Sequence, residues 1–163
     1  MWSGPAPRAN IAAATDSRRR SELPSDLTTT VERLFDRVIN QGDLDAADEV
    51  FATTFVSHSS QGNMDIQGFK DYVTNWRAGF PDVRCEVQDP IESGDRIAWR
   101  IRATGTHEGE FMGIPATGRQ IDFDSMNHAR AEDGRIVEHW MVMDVMTMLE
   151  QLGAIPAAAG GAG

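Results

Sequence analysis

The chain has 163 residues, 40% hydrophobic and 25% charged, which is typical of one globular domain with a core large enough to hold a pocket. Its formal net charge of −10 argues against binding to nucleic acid or to an anionic membrane surface, because both need clustered cations. The single cysteine, Cys85, excludes an intramolecular disulfide and argues against a cysteine-based metal site.

The two ends of the chain differ in composition from its middle. Residues 1–26 mix Pro, Gly, Ala, Ser and Arg without periodicity and predict a disordered extension, which contains Trp2 and the basic cluster Arg18–Arg20. Residues 157–163 predict a disordered tail, which leaves residues 27–156 as a single domain. No apolar run approaches the length of a membrane span, and the N-terminus lacks the pattern of a secretory signal. We therefore expect a cytoplasmic protein without a membrane partner.

The first half of the domain predicts helices. In "TTVERLFDRVINQGD" the apolar residues recur every three or four positions, Thr29 and Glu32 form a capping-box signature, and Gly42 provides a stop. A shorter helix is predicted around "LDAADEVF", followed by the extended segment "TTFVSHSS". A third helix covers "DIQGFKDYVTNWRAGF", and Pro81 ends it.

From residue 82 the apolar residues alternate with a period of two, which predicts strands. The alternating segments are "VRCEV", "RIAWRIRATGTH", "QIDFDSMNHAR" and "RIVEHWMVMDV", with a Gly/Pro-rich loop before the third and the short helix "MTMLEQLG" after the fourth. Helices followed by a meander of strands predict an α+β fold. In this arrangement a curved antiparallel sheet wraps around the N-terminal helices and forms a cone with a ligand-sized mouth.

The turn "AEDG" between the last two strands decides which side chains share a face of the sheet. We interpret it as a type I turn with Gly134 in a bulge position, which places Ala131 opposite Arg135. This register puts four residues on one face: His128, Glu138, Trp140 and Asp144. In a mostly apolar pocket Asp144 would be a general acid/base with a pKa raised by burial. Alternatively, Asp144 is the N-cap of the final helix, and spacing alone favours neither interpretation.

Four histidines, at positions 58, 107, 128 and 139, have no spacing typical of metal ligands, so we expect no metal site. Each is either a structural residue or a catalyst. On the register above, His128 is the best partner for Asp144, while His139 points to the opposite face. The large aromatic and methionine side chains either fill the core or line a flat cavity. The candidate pocket residues are Trp140, Trp99, His58, His107, Trp76, Phe35 and Met126.

The segment "GTHEGEFMGIPATGRQI", followed by "DGRIVEHWMVMD" and "EQLG", resembles the SnoaL-like polyketide cyclases, also called ester cyclases, of the nuclear transport factor 2-like superfamily. The resemblance runs from about residue 30 to 155 and implies a cone-shaped α+β barrel, also described as cystatin-like, that assembles as a homodimer or homotetramer. It also implies that no metal or organic cofactor is used. By motif position it makes Asp144 the acid/base of an intramolecular aldol closure, with His128 as its helper.

Our leading hypothesis is therefore an enzyme, a cofactor-independent cyclase acting on a polyketide-like or other hydrophobic carbonyl substrate. A methylene between two carbonyls is acidic enough for a modest base, so orienting the two ends of the substrate is the larger task. One alternative is a non-catalytic protein that binds a flat apolar molecule; another is a cofactorless hydroxylase or epoxide hydrolase on the same fold. A steroid-isomerase activity would need a tyrosine donor from the first helix, and the one tyrosine, Tyr72, falls in the third.

Overall fold

The computed structural model describes residues 26–59 and 62–156. The expected disordered ends, with Trp2 and Arg18–Arg20, lie outside these residues, apart from position 26. The helices are α1, Asp26–Arg33 continuing as the π-helical segment Leu34–Asn40; α2, the 3-10 turn Leu44–Ala46 with Ala47–Val50; α3, Ile66–Gly79; and α4, Val145–Leu152. No helix in the described part of the chain is long and apolar enough to cross a membrane.

Helix α1 begins earlier than the sequence pattern predicts. Thr29 lies inside the helix, so the expected capping box with Glu32 is wrong. A carboxylate from the sheet takes over part of that role, because the backbone N–H of Thr28 donates to Oε1 of Glu92 over 2.6 Å. The free N–H groups of a first helical turn need an acceptor, and here tertiary structure supplies it.

Among the residues that the structure describes, six strands form one curved sheet. They are β1, Phe51–Ser59; β2, Gly62–Met64; β3, Arg84–Ser93; β4, Arg96–Thr106; β5, Gln120–Glu132; and β6, Arg135–Met143. The order across the sheet is β2-β1-β6-β5-β4-β3. The predicted α+β fold, with a curved sheet and N-terminal helices, is confirmed. However, the sheet is not closed into a barrel, and its β1–β6 pair is parallel rather than antiparallel.

The two faces of the sheet have different chemistry. Along β5 every second residue from Ile121 to Ala131 is buried and faces the helices, while the residues between them, beginning with Asp122, face outward and are exposed or half-buried. Strand β4 alternates in the same way, with Trp99 inside and Arg100 outside. The period of two seen in the sequence is thus the alternation between a helix-covered inner face and an outer face rich in charged residues.

The β5–β6 turn differs from the predicted one. Asp133 and Gly134 have φ angles of +49° and +75°, which suit a two-residue type I′ turn and pair Glu132 with Arg135. One extra residue, Val137, then bulges from β6, so that His128 lies opposite Trp140 instead of Glu138. The turn and the bulge together shift the predicted register by two residues. A shift of two does not change which residues share a face. The helices then decide which of the two faces is the inner one.

Candidate functional site

An apolar cavity lies between the inner face of the sheet and helices α1 and α3. Its free volume is about 60 Å³, below the several hundred Å³ of a typical ligand pocket, so a substrate of more than a few atoms requires side chains to move. Met141 and Met143 suit such movement, since an unbranched thioether side chain has several rotatable bonds. The cavity is lined by Leu34, Phe35, Ile39, Phe69, Tyr72, Val73, Trp76, Val83, Cys85, Ile101, Ala103, Phe123, Ser125, Asn127, His139, Met141 and Met143.

One wall of this cavity is polar. Asn127 on β5 and His139 on β6 both point inward, and Nε2 of the imidazole lies 3.1 Å from Oδ1 of the amide. The other ring nitrogen, Nδ1, lies 3.0 Å from the hydroxyl oxygen of Ser57, a fully buried residue of β1. Nδ2 of Asn127 donates to Oγ of Ser125 over 3.0 Å. A continuous buried network therefore joins three strands and ends on two groups, the Asn127 amide and the Ser125 hydroxyl, that line the cavity.

The imidazole of His139 is electrically neutral in this setting. Burial, with smaller contributions from the nearby imidazoles of His128 and His58, lowers the pKa of His139 from 6.5 to about 4. A buried imidazolium would lose its hydration without a carboxylate to compensate, so the neutral form is favoured. At neutral pH His139 therefore offers one N–H and one lone pair. Since Oδ1 of Asn127 can only accept, the N–H is on Nε2, and Nδ1 accepts from the Ser57 hydroxyl.

Two further titratable groups line the cavity, and both are held in their uncharged forms. Burial raises the pKa of Tyr72 well above its usual range, and it raises the pKa of the Cys85 thiol to about 12. Among the described residues that line the cavity, none is Asp, Glu, Lys or Arg. Charge that develops on a bound molecule must therefore be stabilised by hydrogen-bond donors and by His139.

Asp144 lies on the exposed surface, outside the cavity, and the expectation of a buried pocket carboxylate is wrong. It is the N-cap of α4: its Oδ1 accepts from the backbone N–H of Thr147 over 3.0 Å, and Oδ2 accepts from the Thr147 hydroxyl over 2.7 Å. These hydrogen bonds lower the pKa of Asp144 instead of raising it. Between the two interpretations left open by the spacing, the structure selects the helix cap, because the strand ends at Met143 and the chain turns outward.

His128 and Trp140 share a face, as predicted, but it is the outer face of the sheet. Trp140 lies between two imidazoles, with its ring centroid 5.0 Å from that of His128 and 5.2 Å from that of His58. Glu138, on the same face, accepts from Arg130. His58, His128, Trp140 and the exposed Met126 therefore do not line the cavity. Their expected positions in the pocket are wrong, since the helices cover the opposite side of these strands.

The remaining candidate pocket residues divide into two groups. Trp76 and Phe35 line the cavity. Trp99 is buried behind it, with its ring 5.6 Å from that of His139 and 6.2 Å from that of Phe35. His107 is buried under Phe80 and holds the following loop, because its Nδ1 lies 3.0 Å from the Thr117 hydroxyl. His107 and Trp99 thus support the fold around the cavity without forming its lining.

Sequence reasoning missed the polar wall formed by Ser125, Asn127 and His139. A signal was present, because Ser125 and Asn127 continue the alternation that begins with Ile121 and Phe123 and are the polar residues at inward positions. A polar residue at a buried position of an alternating strand is costly unless it is hydrogen-bonded or functional. Over residues 26–59 and 62–156 no cluster of His, Cys, Asp and Glu is arranged to hold a metal ion.

A helix-backed curved sheet around an apolar cavity with one polar wall defines a small α+β domain with an internal cavity. The family model "SnoaL-like polyketide cyclase" matches residues 29–152, and the chain belongs to this family.

Three known proteins are among those similar to this chain. The wild-type IdmH protein of Streptomyces antibioticus, a candidate polyketide cyclase, is 38% identical, with a TM-score of 0.70 over 77% of this chain and 97% of its own. AclR of Streptomyces galilaeus, a candidate hydroxylase, is 27% identical, with a TM-score of 0.76 over 85% of this chain and 87% of its own. Aklanonic acid methyl ester cyclase DnrD of Streptomyces peucetius is 32% identical over 62 residues, which span 38% of this chain and 43% of that enzyme.

Proposed function

We propose that this chain is an enzyme that closes a carbon ring in a polyketide-like or other hydrophobic carbonyl substrate, by an intramolecular aldol reaction without a cofactor. One observation carries the proposal: a buried, hydrogen-bonded histidine and its amide partner form one wall of an otherwise apolar cavity. Membership of the SnoaL-like polyketide cyclase family supports the reaction class.

His139 carries out the proton transfers in this proposal. In the structure Nε2–H donates to Oδ1 of Asn127, and Nδ1 accepts from the Ser57 hydroxyl. In the reactive form the Asn127 amide turns from the ring to the substrate and the ring proton is on Nδ1, where it donates to Ser57, so that Nε2 presents a lone pair to the cavity. This nitrogen takes a proton from a methylene between two carbonyls, the carbanion attacks the carbon of a third carbonyl elsewhere in the same molecule, and the alkoxide so formed takes the proton back. One C–H bond and the π bond of the attacked carbonyl are broken, and one C–C and one O–H bond are formed, so the product is an isomer of the substrate. The enolate's negative charge stabilises the imidazolium that burial otherwise disfavours.

Asn127 and Ser125 supply the electrostatic part of the reaction. The Asn127 amide and the Ser125 hydroxyl line the cavity beside His139 and can donate to a carbonyl oxygen. Donors already oriented by the sheet stabilise a developing alkoxide at little reorganisation cost, and such donors contribute strongly in an apolar site. In this proposal Asp144 and His128 have no part in the chemistry, because neither lines the cavity.

The reaction can be tested with the substrate that names one relative. Aklanonic acid methyl ester would be incubated with the protein, and a chromatographically distinct product of unchanged mass is expected. We expect His139→Gln, which keeps the size and polarity of the residue, to reduce the rate by a factor of about 10² to 10⁴. Asp144→Asn is the matched control, which keeps a capping side chain and should react at the wild-type rate.

Other outcomes identify the alternatives. A product heavier by one oxygen would indicate a hydroxylase, and tight binding without any product would indicate a binding protein. If Asp144→Asn abolished turnover while His139→Gln did not, the assignment of the proton transfers to His139 would be refuted. The homodimer or homotetramer implied by the family resemblance stays a prediction, which sedimentation velocity on the full chain can test.

A further inference from the structure

Helix α3 presents two hydrogen-bond donors to the cavity. Tyr72 and Trp76 are four residues apart, which places them on the same face of the helix, and both line the cavity. Their rings meet edge to face with centroids 6.1 Å apart. The side chain of Trp76 is only 6% exposed, and its indole N–H is fully buried without a hydrogen-bond partner among the described residues.

The hydroxyl hydrogen of Tyr72 also lacks a strong hydrogen-bond acceptor. Within the described part of the chain, the acceptors in its reach are thioether sulfurs, Sδ of Met143 at 3.3 Å and Sδ of Met141 at 4.0 Å. Sulfur is a weak acceptor, and both thioethers belong to flexible side chains that can swing away. Tyr72 is half-buried, and the indole N–H of Trp76 beside it is fully buried. A folded protein rarely leaves a buried donor without an acceptor, because this costs free energy.

We propose that the Tyr72 hydroxyl and the Trp76 indole N–H form a binding subsite for an oxygen atom of the ligand, either a carbonyl oxygen or the enolate that replaces it. The thioethers of Met141 and Met143 occupy the position proposed for the ligand oxygen, and the ligand displaces them when it binds. The subsite rests on the proposed function only in using the same cavity.

The position of this subsite indicates the class of ligand. Met143 lies opposite Ser125, and Met141 lies opposite Asn127, so the thioethers that Tyr72 contacts stand beside the polar wall of the sheet. A ligand can therefore reach the helix donors with one oxygen and the sheet donors with another. Flat molecules with two nearby carbonyls, as in a 1,3-dicarbonyl compound, fit this arrangement.

The chemistry of the two donors suits a neutral or anionic oxygen. Burial, and to a smaller extent the neighbouring Cys85 thiol, raises the pKa of Tyr72. The phenol consequently keeps its proton over the whole physiological range and acts as a donor. An indole N–H is a donor and cannot accept the phenol hydrogen of Tyr72. The pair therefore needs an acceptor from outside, which a ligand oxygen can supply.

Binding of a matched pair of small ligands to the full chain tests the subsite. The probes are 1-indanone, a flat bicyclic ketone, and indane, the same skeleton without the oxygen. Dissociation constants are measured for the wild type and for Tyr72→Phe, which removes one hydroxyl and keeps the ring. We expect the substitution to weaken 1-indanone binding about tenfold and to change indane binding less than twofold. The infrared carbonyl band of bound 1-indanone should lie below its position in dry alkane and move back towards it in Tyr72→Phe.

A second variant tests the role of the indole N–H of Trp76. Trp76→Phe keeps an aromatic ring but removes the N–H, and it too should weaken the ketone more than the hydrocarbon. Equal losses for both probes in both variants, a carbonyl band at its alkane position, or no measurable binding of the ketone would each overturn the subsite. Since neither probe reacts, these results are independent of turnover: a protein that fails the cyclase assay can still bind 1-indanone in this way, and a cyclase can fail to do so.

Discussion

The imidazole of His139 contacts the amide of Asn127 across β5 and β6, with 3.1 Å between Nε2 and Oδ1, although Ala129 is the residue directly opposite His139. The contact is diagonal, and it is available because the inner-face neighbour of Ala129 along β5 is Asn127. Alanine has no side chain long enough to occupy the space next to the imidazole. The small residue thus leaves room for the ring, and the next inward residue supplies its hydrogen-bond partner.

Removing the amide should destabilise the fold as well as the site. In Asn127→Ala a buried nitrogen of His139 loses its partner, and so does the hydroxyl of Ser125, which should lower the free energy of unfolding by about 1–3 kcal/mol. Urea denaturation at pH 7.5 measures this. The control is Met126→Ala on the adjacent outward position, where the exposed side chain should cost less than about 0.5 kcal/mol. Equal losses in the two variants would show that the network adds nothing to stability.

The free energy of unfolding should decrease as the pH is lowered, because His139 is buried in its neutral form. Its folded-state pKa is about 4, against 6.5 as the ordinary value, so the unfolded chain binds the proton more readily. The contribution is therefore fully present above pH 6.5 and is lost as the pH falls from 6.5 towards 4, by about 3 kcal/mol in total. Other groups also titrate there, so the measurement is the difference in unfolding free energy between wild type and His139→Gln at pH 7.5 and pH 4.5. Parallel pH profiles for the two proteins would contradict a buried, neutral imidazole.

Asp144 should prove to be a structural residue. Replacing it with Ala removes both acceptors of Thr147 and should lower the thermal midpoint, while Asn or Ser, which also cap helices, should restore most of the loss. Turnover should stay within twofold of wild type in all three variants. The hydrogen bonds from Thr147 lower the pKa of Asp144, so the cap remains effective at neutral pH and is lost as the pH falls through that lowered pKa. Calorimetry and the cyclase assay on the same samples test both expectations.

The loop between β4 and β5 depends on one glycine. The backbone N–H of Gly109 donates to the carbonyl of Gly79 over 3.0 Å, and a Cβ at position 109 would overlap the carbonyl oxygen of Ala78. The loop carries Phe111, whose ring lies 4.5 Å from that of Trp76 beside the cavity. Gly109→Ala should therefore cost about 2 kcal/mol or more, since backbone must move to admit the methyl group.

The matched control for this glycine is Gly68→Ala in α3, where the added Cβ would meet side chains and no backbone, Met64 at 3.2 Å and Asp65 at 3.5 Å. Alanine also has the higher helix propensity, so this change should alter stability by less than about 1 kcal/mol. Unfolding curves of equal midpoint for the two variants would show that the loop tolerates displacement from the helix.

The sequence predicted the fold class and most of the helices and strands. The strand "RIAWRIRATGTH" and the helix "DIQGFKDYVTNWRAGF" were predicted within a few residues, because period and capping are local properties. The start of α1 was not predicted, since Thr28 is capped by Glu92, which is 64 residues away in the chain. The β5–β6 register also escaped, because the choice between a two-residue and a three-residue turn changes little in the local pattern.

For the candidate site, strand alternation by itself established that His128 and Trp140 share one face and that His139 lies on the other. It could not say which face is inside. Both faces of β6 carry large side chains, and only the packing of α1 and α3 against one of them makes that face the cavity wall. The residue Asp144 that stood out in the sequence therefore became a helix cap, while His139 became the centre of a buried network. Periodicity records which residues share a surface, and tertiary packing decides what that surface is buried against.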